Sequence, residues 1–205
     1  MVRYSPSPDT GPIRQGEILS NVVELRLDPL CFRTETEPLI QQIVHPFAVV
    51  LTQDCDLEWD HKCRFVSDPS CQGRLALKLV PNILLCQAES AHTLRAHQSI
   101  KSDIWRRITS NTDERYHVLE EVPAELDRLR TGIPSLALDF KRVFTVPTDE
   151  LYHRLGFEAE RRCYLIPPFV QFLSSRFTYF LGRVAVPEPE EPAAVAPPAL
   201  PPSSA

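Results

Sequence analysis

"FAVVLT", residues 47–52, is apolar from Phe47 to Leu51 and carries no charge. A strand built this way has no side to give to water, so it belongs in the middle of a sheet covered on both faces. Upstream, "EILSNVVELRL" (17–27) alternates Val23, Leu25 and Leu27 with Glu24 and Arg26. That is the period of two expected of a half-buried neighbouring strand. Downstream, "LALKLV" (75–80) and "NILLCQ" (82–87) flank Pro81 and read as one bent strand or two short ones. "RYHVLEEV" (115–122) and "SLALDFKRVFTV" (135–146) supply two more strands. In the second of these, Asp139 must face solvent or be paired, and Arg115 and Arg142 are the candidate partners.

Helical spacing enters between and after these runs. Residues 89–108 predict a helical stretch with Leu94, Ile104, Trp105 and Ile108 on its buried side. "TDELYHRLG" (148–156) opens with Thr148 as an N-cap, carries acids in its first turn and stops at Gly156. In "PPFVQFLSSRFTYFLGRV" (167–184), Phe169, Phe172, Leu173, Arg176, Phe177, Phe180 and Leu181 recur at helical spacing and predict a core-sealing face. The expected order is β–β–β–α–β–β–α–α. It describes a mainly β protein with C-terminal helices, an α+β chain whose bent antiparallel sheet is closed by helices.

A chain of 205 residues with 43% hydrophobic and 24% charged residues suits one soluble globular domain. Residues 1–12 are polar and rich in Pro, Ser and Gly, and 187–205 contain seven prolines and no aromatic residue. Both ends are expected to be unfolded around a single domain at 13–186. No apolar run is long enough for a membrane span, and "MVRYSPSPDTGP" has no apolar leader, so the expected location is cytoplasmic. There the six cysteines are expected as free thiols or ligands rather than as disulfides. Glu188, Glu190 and Glu191 carry three of the net −5 charges, leaving about −2 for the body. That balance argues against a broad basic surface for nucleic acid. The pairs Arg106–Arg107 and Arg161–Arg162 read as solvated helix faces.

Three pieces taken together, "RQGEIL" (14–19), "HPFAVVLTQD" (45–54) and "NILLCQAES" (82–90), resemble the MazF/PemK-like toxin superfamily over about residues 14–90. The remainder looks like an uncharacterised bacterial protein family. The resemblance implies a small SH3-like barrel and metal-independent cleavage of single-stranded RNA, with no cofactor. His45 stands where the toxins have arginine, and "CQAES" (86–90) replaces their Thr/Ser strand end. The leading expectation is therefore an accessory protein of a toxin–antitoxin or phage-defence system, binding a protein or nucleic-acid partner without catalysis. The alternative is an endoribonuclease with a rearranged site in which Arg14, Glu17, His45 and Gln53 act at the rim.

The stretch "VVLTQDCDLEWDHKC" (49–63) admits four readings. Cys55 is a thiol nucleophile, although Asp54 and Asp56 oppose its ionisation. Cys55, His61, Cys63 and Cys71 hold a structural zinc, although the spacing is not that of a knuckle. Asp54, Asp56 and Glu58 share one side of a continuing strand and hold a divalent cation for phosphodiester cleavage. In the favoured reading the strand simply leaves the core, Gln53 and Asp54 brace a turn, and Cys55 fills a small apolar gap.

Overall fold

A computed structural model describes residues 2–29, 39–66, 68–71, 75–97 and 100–183. The proline-rich stretch 187–205 and Cys31 lie outside the described residues. The chain is an α+β protein on one open, antiparallel seven-stranded sheet. Its strands are β1 (Tyr4–Pro6), β2 (Glu17–Leu27), β3 (Ile40–Val50), β4 (Asn82–Ser90), β5 (Tyr116–Leu119), β6 (Leu136–Pro147) and β7 (Glu160–Leu165). In space they run β1-β7-β2-β3-β4-β6-β5. The helices are α1 (Asp54–His61), α2 (Leu75–Lys78), α3 (Ala91–Ala96), α4 (Ser102–Thr109), α5 (Thr148–Arg154) and α6 (Phe169–Leu181).

β3 sits at the centre, as its composition demands. Val49 enters one core with Ile18, Leu138, Phe140 and Cys163, sealed by Val170, Leu173 and Phe177 of α6. Ala48 and Val50 point the other way, into a second core with Leu19, Ile83, Leu85 and Phe144, covered by Leu57 of α1 and Leu151 of α5. A smaller cluster joins Leu94 of α3 and Ile108 of α4 to Ala137. The stretch 89–108 is thus helical in two pieces, with Ile104 and Trp105 packed against that cluster.

The aromatic face of α6 is largely core, although Phe172 and Leu181 remain exposed. Phe177→Ala is expected to cost about 3 kcal/mol, because its ring is 9% exposed and packs on Phe140. A shift in urea midpoint at unchanged slope is the measurement.

Several expectations are corrected. The sheet is not a closed barrel, since β1 and β5 are its two edges and do not pair. The edges still approach one another: the Tyr4 hydroxyl donates to the Glu120 carbonyl at 2.8 Å, and Arg3 ion-pairs with Glu120. The stretch 2–12 is not loose, because Tyr4–Pro6 pairs with Cys163–Leu165 and Tyr4 is buried. Leu75–Lys78 is a helical turn rather than a strand, and β4 starts just after Pro81. Thr148 opens α5 but does not cap it; its hydroxyl donates to the Val80 carbonyl at 2.5 Å.

Beyond the body of the sheet, β2 and β3 continue with no third strand beside them among the described residues. β7 pairs with β2 only as far as Ser20, and β4 pairs with β3 only from Phe47. At that boundary Asn21 (φ 57°) lies opposite Pro46, which has no N–H to give the ladder. The register Val23↔Val44, Leu25↔Gln42, Leu27↔Ile40 places these side chains on one face of the two-stranded ribbon. Leu25, Leu27, Ile40 and Val44 of that face are exposed, and none of its residues is charged.

Candidate functional site

The rim proposed from the toxin resemblance is built around Gly16, whose φ of +74° turns the chain into β2. A side chain at Gly16 would sit 3.2 Å from Leu165 and Val170, so the turn needs glycine twice over. The turn brings Arg14, Glu17 and Asp54 together. Arg14 meets both oxygens of Asp54 at 3.2 Å, and the Gln15 amide donates to Asp54 at 2.7 Å. Gln53 is the N-cap residue of α1, adjacent to this contact, but makes no side-chain cap bond.

Glu17 is fully buried and spoken for. Arg161 of β7 grips both its oxygens, Nε at 2.7 Å and Nη2 at 3.0 Å, and the Arg14 amide donates to it at 2.8 Å. Arg161 also donates to the Gly11 and Pro12 carbonyls. This is a bracket that pins the entry loop to the sheet, and it leaves Glu17 no free lone pair aimed at solvent for acid–base work.

His45 does not join the rim. It lies five residues from Val50, whose carbonyl accepts the Gly16 amide, roughly 17 Å along the strand. It is buried, stacked on Phe144 at 4.1 Å, and hydrogen-bonded to Glu24 at 2.7 Å. Burial works against the Glu24 carboxylate, yet Arg26 and His45 hold its pKa below the ordinary range. The four residues Arg14, Glu17, His45 and Gln53 therefore form no single catalytic constellation.

The stretch after residue 52 overturns the strand-based readings. Asp54–His61 is a helix, with Asp54 and Asp56 in the first turn where the dipole favours anions. Helical spacing turns Asp56 away from Asp54 and Glu58, and Glu58 ion-pairs with Lys62. Cys55 is exposed rather than filling a core gap. Cys63 and Cys71 are not free thiols; they form a disulfide with a Cα separation of 5.4 Å. The zinc set Cys55, His61, Cys63 and Cys71 is thereby broken. Among the described residues no three His, Cys, Asp or Glu side chains converge as metal ligands would.

The disulfide closes a short loop, a sequence separation of 8. Closure of a loop that size is worth about 2.5 kcal/mol on the chain-entropy account. Reduction by dithiothreitol should lower stability by that order in urea titrations. Cys55→Ser should leave both the stability and its response to reductant unchanged.

Other buried polar groups are structural. Arg162, on the opposite face of β7 from Arg161, donates to both oxygens of Asp127 at 2.8 and 2.7 Å. Asp127 also accepts from the amides of Leu129, Thr131 and Gly132. Burial opposes its charge, but Arg162 dominates and its pKa falls to about 2. The pair Arg161–Arg162 is therefore a buried double bracket, not a solvated helix face. Asp139 is paired as its setting requires, with Arg115 in a two-point contact and Arg142 at 3.6 Å. Cys86 and Cys163 are buried, and burial raises both thiol pKa values, that of Cys163 to about 12. Neither is a thiolate nucleophile near neutral pH.

No protein-family model matches the chain, and no curated protein matches it either. No described helix is long and apolar enough to cross a membrane. Among the exposed apolar surfaces of the described residues is the β2–β3 ribbon, whose β2 half (17–27) the period of two predicts as a half-buried strand. Its exposure was hidden because only sheet topology decides which part of a long hairpin loses its neighbours.

Proposed function

We propose that this protein is a non-catalytic interaction protein that docks a protein partner through the protruding β2–β3 ribbon. The observation that carries the reading is the uncharged face of Leu25, Leu27, Ile40 and Val44, exposed where the ribbon has no neighbouring strand. Contiguous exposed apolar side chains on one face of a strand pair are characteristic of a docking surface. A protein is favoured over RNA because the arginines of the rim are already neutralised: Arg14 by Asp54 and Arg161 by Glu17. The curl of the sheet, with its edges joined by Tyr4 and Glu120, supports reading the fold as an opened relative of the small SH3-like toxin barrel. That kinship would place the protein in a toxin–antitoxin or phage-defence setting, while the Cys63–Cys71 disulfide argues for a compartment less reducing than the cytoplasm.

Two experiments test this. A photo-crosslinking amino acid at position 40 should give a discrete protein adduct in cells, whereas one at the exposed Lys141 should not. Equal labelling from both positions sinks the docking surface. Purified protein incubated with long single-stranded RNA should leave it intact, with or without chelator. Cuts that disappear in His45→Ala would restore the endoribonuclease reading, and cuts that disappear with chelator would restore the cation-dependent one.

A further inference from the structure

A second feature, separate from the ribbon and sharing only Arg161 with the rim, lies where the entry loop meets α1 and α5. His61 ends α1, Phe65 follows in the disulfide-closed loop, and Tyr152 projects from α5. Their rings wall an open pocket of about 230 Å³ with Arg161 and Thr10 among its lining. The rings meet at angles: Phe65 to Tyr152 at 4.9 Å and 73°, His61 to Phe65 at 5.2 Å and 51°, His61 to Tyr152 at 6.2 Å and 53°. No two of these rings are parallel, and the edge-to-face contact of Phe65 with Tyr152 covers one side of one ring at most. Phe65 is 53% exposed, an aromatic surface that the fold holds in place without burying.

The charges around the pocket are internally cancelled. Arg161 is held by both oxygens of Glu17, and Asp9 accepts from Arg128 at 2.8 Å. A phosphate or a free ammonium ion has no unpaired counter-charge to meet in this lining. The polar capacity left over is neutral. The ring nitrogens of His61 and the hydroxyl of Thr10 make no hydrogen bond with the described residues, and the Tyr152 hydroxyl, which accepts from the Ile13 amide at 3.2 Å, keeps its own proton to donate. Burial and the nearby Arg161 push the His61 pKa down, which keeps that ring neutral near pH 7 and able both to donate and to accept.

We propose that this pocket binds a neutral, planar heteroaromatic ring of nucleobase size, stacked on the exposed Phe65 ring and met at its edge by the polar groups of His61 and Tyr152. The volume suits one ring system rather than a drug-sized molecule. An all-carbon ring would leave the His61 and Tyr152 polar groups facing an apolar surface, so edge nitrogens or carbonyls are part of the specificity.

The test uses the full chain with adenosine as probe and benzyl alcohol as an all-carbon ring without ring nitrogens or carbonyls, followed by proton NMR of His61 and by calorimetry. Adenosine should bind saturably with a dissociation constant of about 0.1–1 mM, the range of a fragment-sized ligand. Phe65→Ala, at an exposed position that should not disturb folding, should weaken it by about tenfold or more. His61→Phe should weaken adenosine severalfold and leave benzyl alcohol unchanged or tighter. Absence of saturation up to about 10 mM overturns the site. So does adenosine binding that Phe65→Ala leaves intact, or benzyl alcohol binding as tightly as adenosine to the unaltered chain.

Discussion

Replacing Arg161 by methionine is expected to destabilise the protein by about 3–5 kcal/mol, the largest effect of any substitution on the rim side of the sheet. Its guanidinium is 5% exposed, and the Glu17 side chain it faces is 0% exposed. Removing the cation strands a carboxylate in the interior and frees the Gly11 and Pro12 carbonyls as well. Glu17→Gln should destabilise as well, because its amide keeps a single accepting oxygen, turns an NH2 towards the other donors and leaves the buried guanidinium without its counter-charge. The double replacement Glu17→Met with Arg161→Met should recover much of the loss, since two apolar side chains leave no isolated charge behind. Urea titrations of the unaltered chain, Glu17→Met, Arg161→Met and the double variant form a double-mutant cycle. A cost below about 1 kcal/mol for Arg161→Met would show that the pair is not a structural bracket, and would return Glu17 to the pool of candidate acids.

That bracket also explains where sequence reading failed. β2, β3, β4, β5 and β6 were legible because alternation or continuous apolarity marks a strand that buries hydrocarbon. β7 carries "ERRCYL" and lies between β1 and β2, yet no apolar pattern announces it. Two successive arginines point to opposite faces of that strand, and each is made tolerable by a carboxylate far away in sequence, Glu17 or Asp127. Pairing at a separation of 144 residues has no local signature. β1 was hidden for a related reason: three residues among prolines and serines become a strand only because β7 offers an edge. The helix at Asp54 was the opposite error. The favoured reading ends the strand here in a turn braced by Gln53 and Asp54, and only the cation alternative continues it; acids in a first helical turn fit a helix start equally well. Asp139 succeeded because its partners lie close enough in the chain, or on the adjacent strand, to be named in advance. The ribbon and the ring pocket were illegible as sites, since both depend on which surfaces the topology leaves without a neighbour.

Acid should weaken this protein well before its carboxylates titrate, and His117 is the reason. It is 3% exposed, packed on Phe140 and edge-on to Phe172, and its Nδ1 finds no hydrogen-bond partner. Burial, with Arg176 adding repulsion, pushes its pKa down from 6.5 to about 3. Between those two values the unfolded chain binds a proton that the folded chain refuses, so stability rises with pH there. The contribution of the neutral ring is complete above pH 6.5 and is lost as pH falls towards 3. Each unit is worth about 1.4 kcal/mol, so roughly 3 kcal/mol should disappear by pH 4.5 and about 4–5 kcal/mol over the whole window. Asp127 acts with the same sign but only below its ordinary value of 3.8, since its folded pKa is about 2. In the range from pH 4.5 to 6.5 only histidines contribute in this way, His117 most and the less buried His61 with the same sign, so the His117 variant separates the two. His117→Phe should fill the same space between Phe140 and Phe172 and flatten the dependence of urea midpoint on pH across that range. Proton NMR should find the His117 ring untitrated in the native protein at pH 4.5. A ring that titrates near 6, or a variant with the same acid sensitivity as the unaltered chain, would mean that the strand edge at β5 opens to water and that the proton is not excluded there.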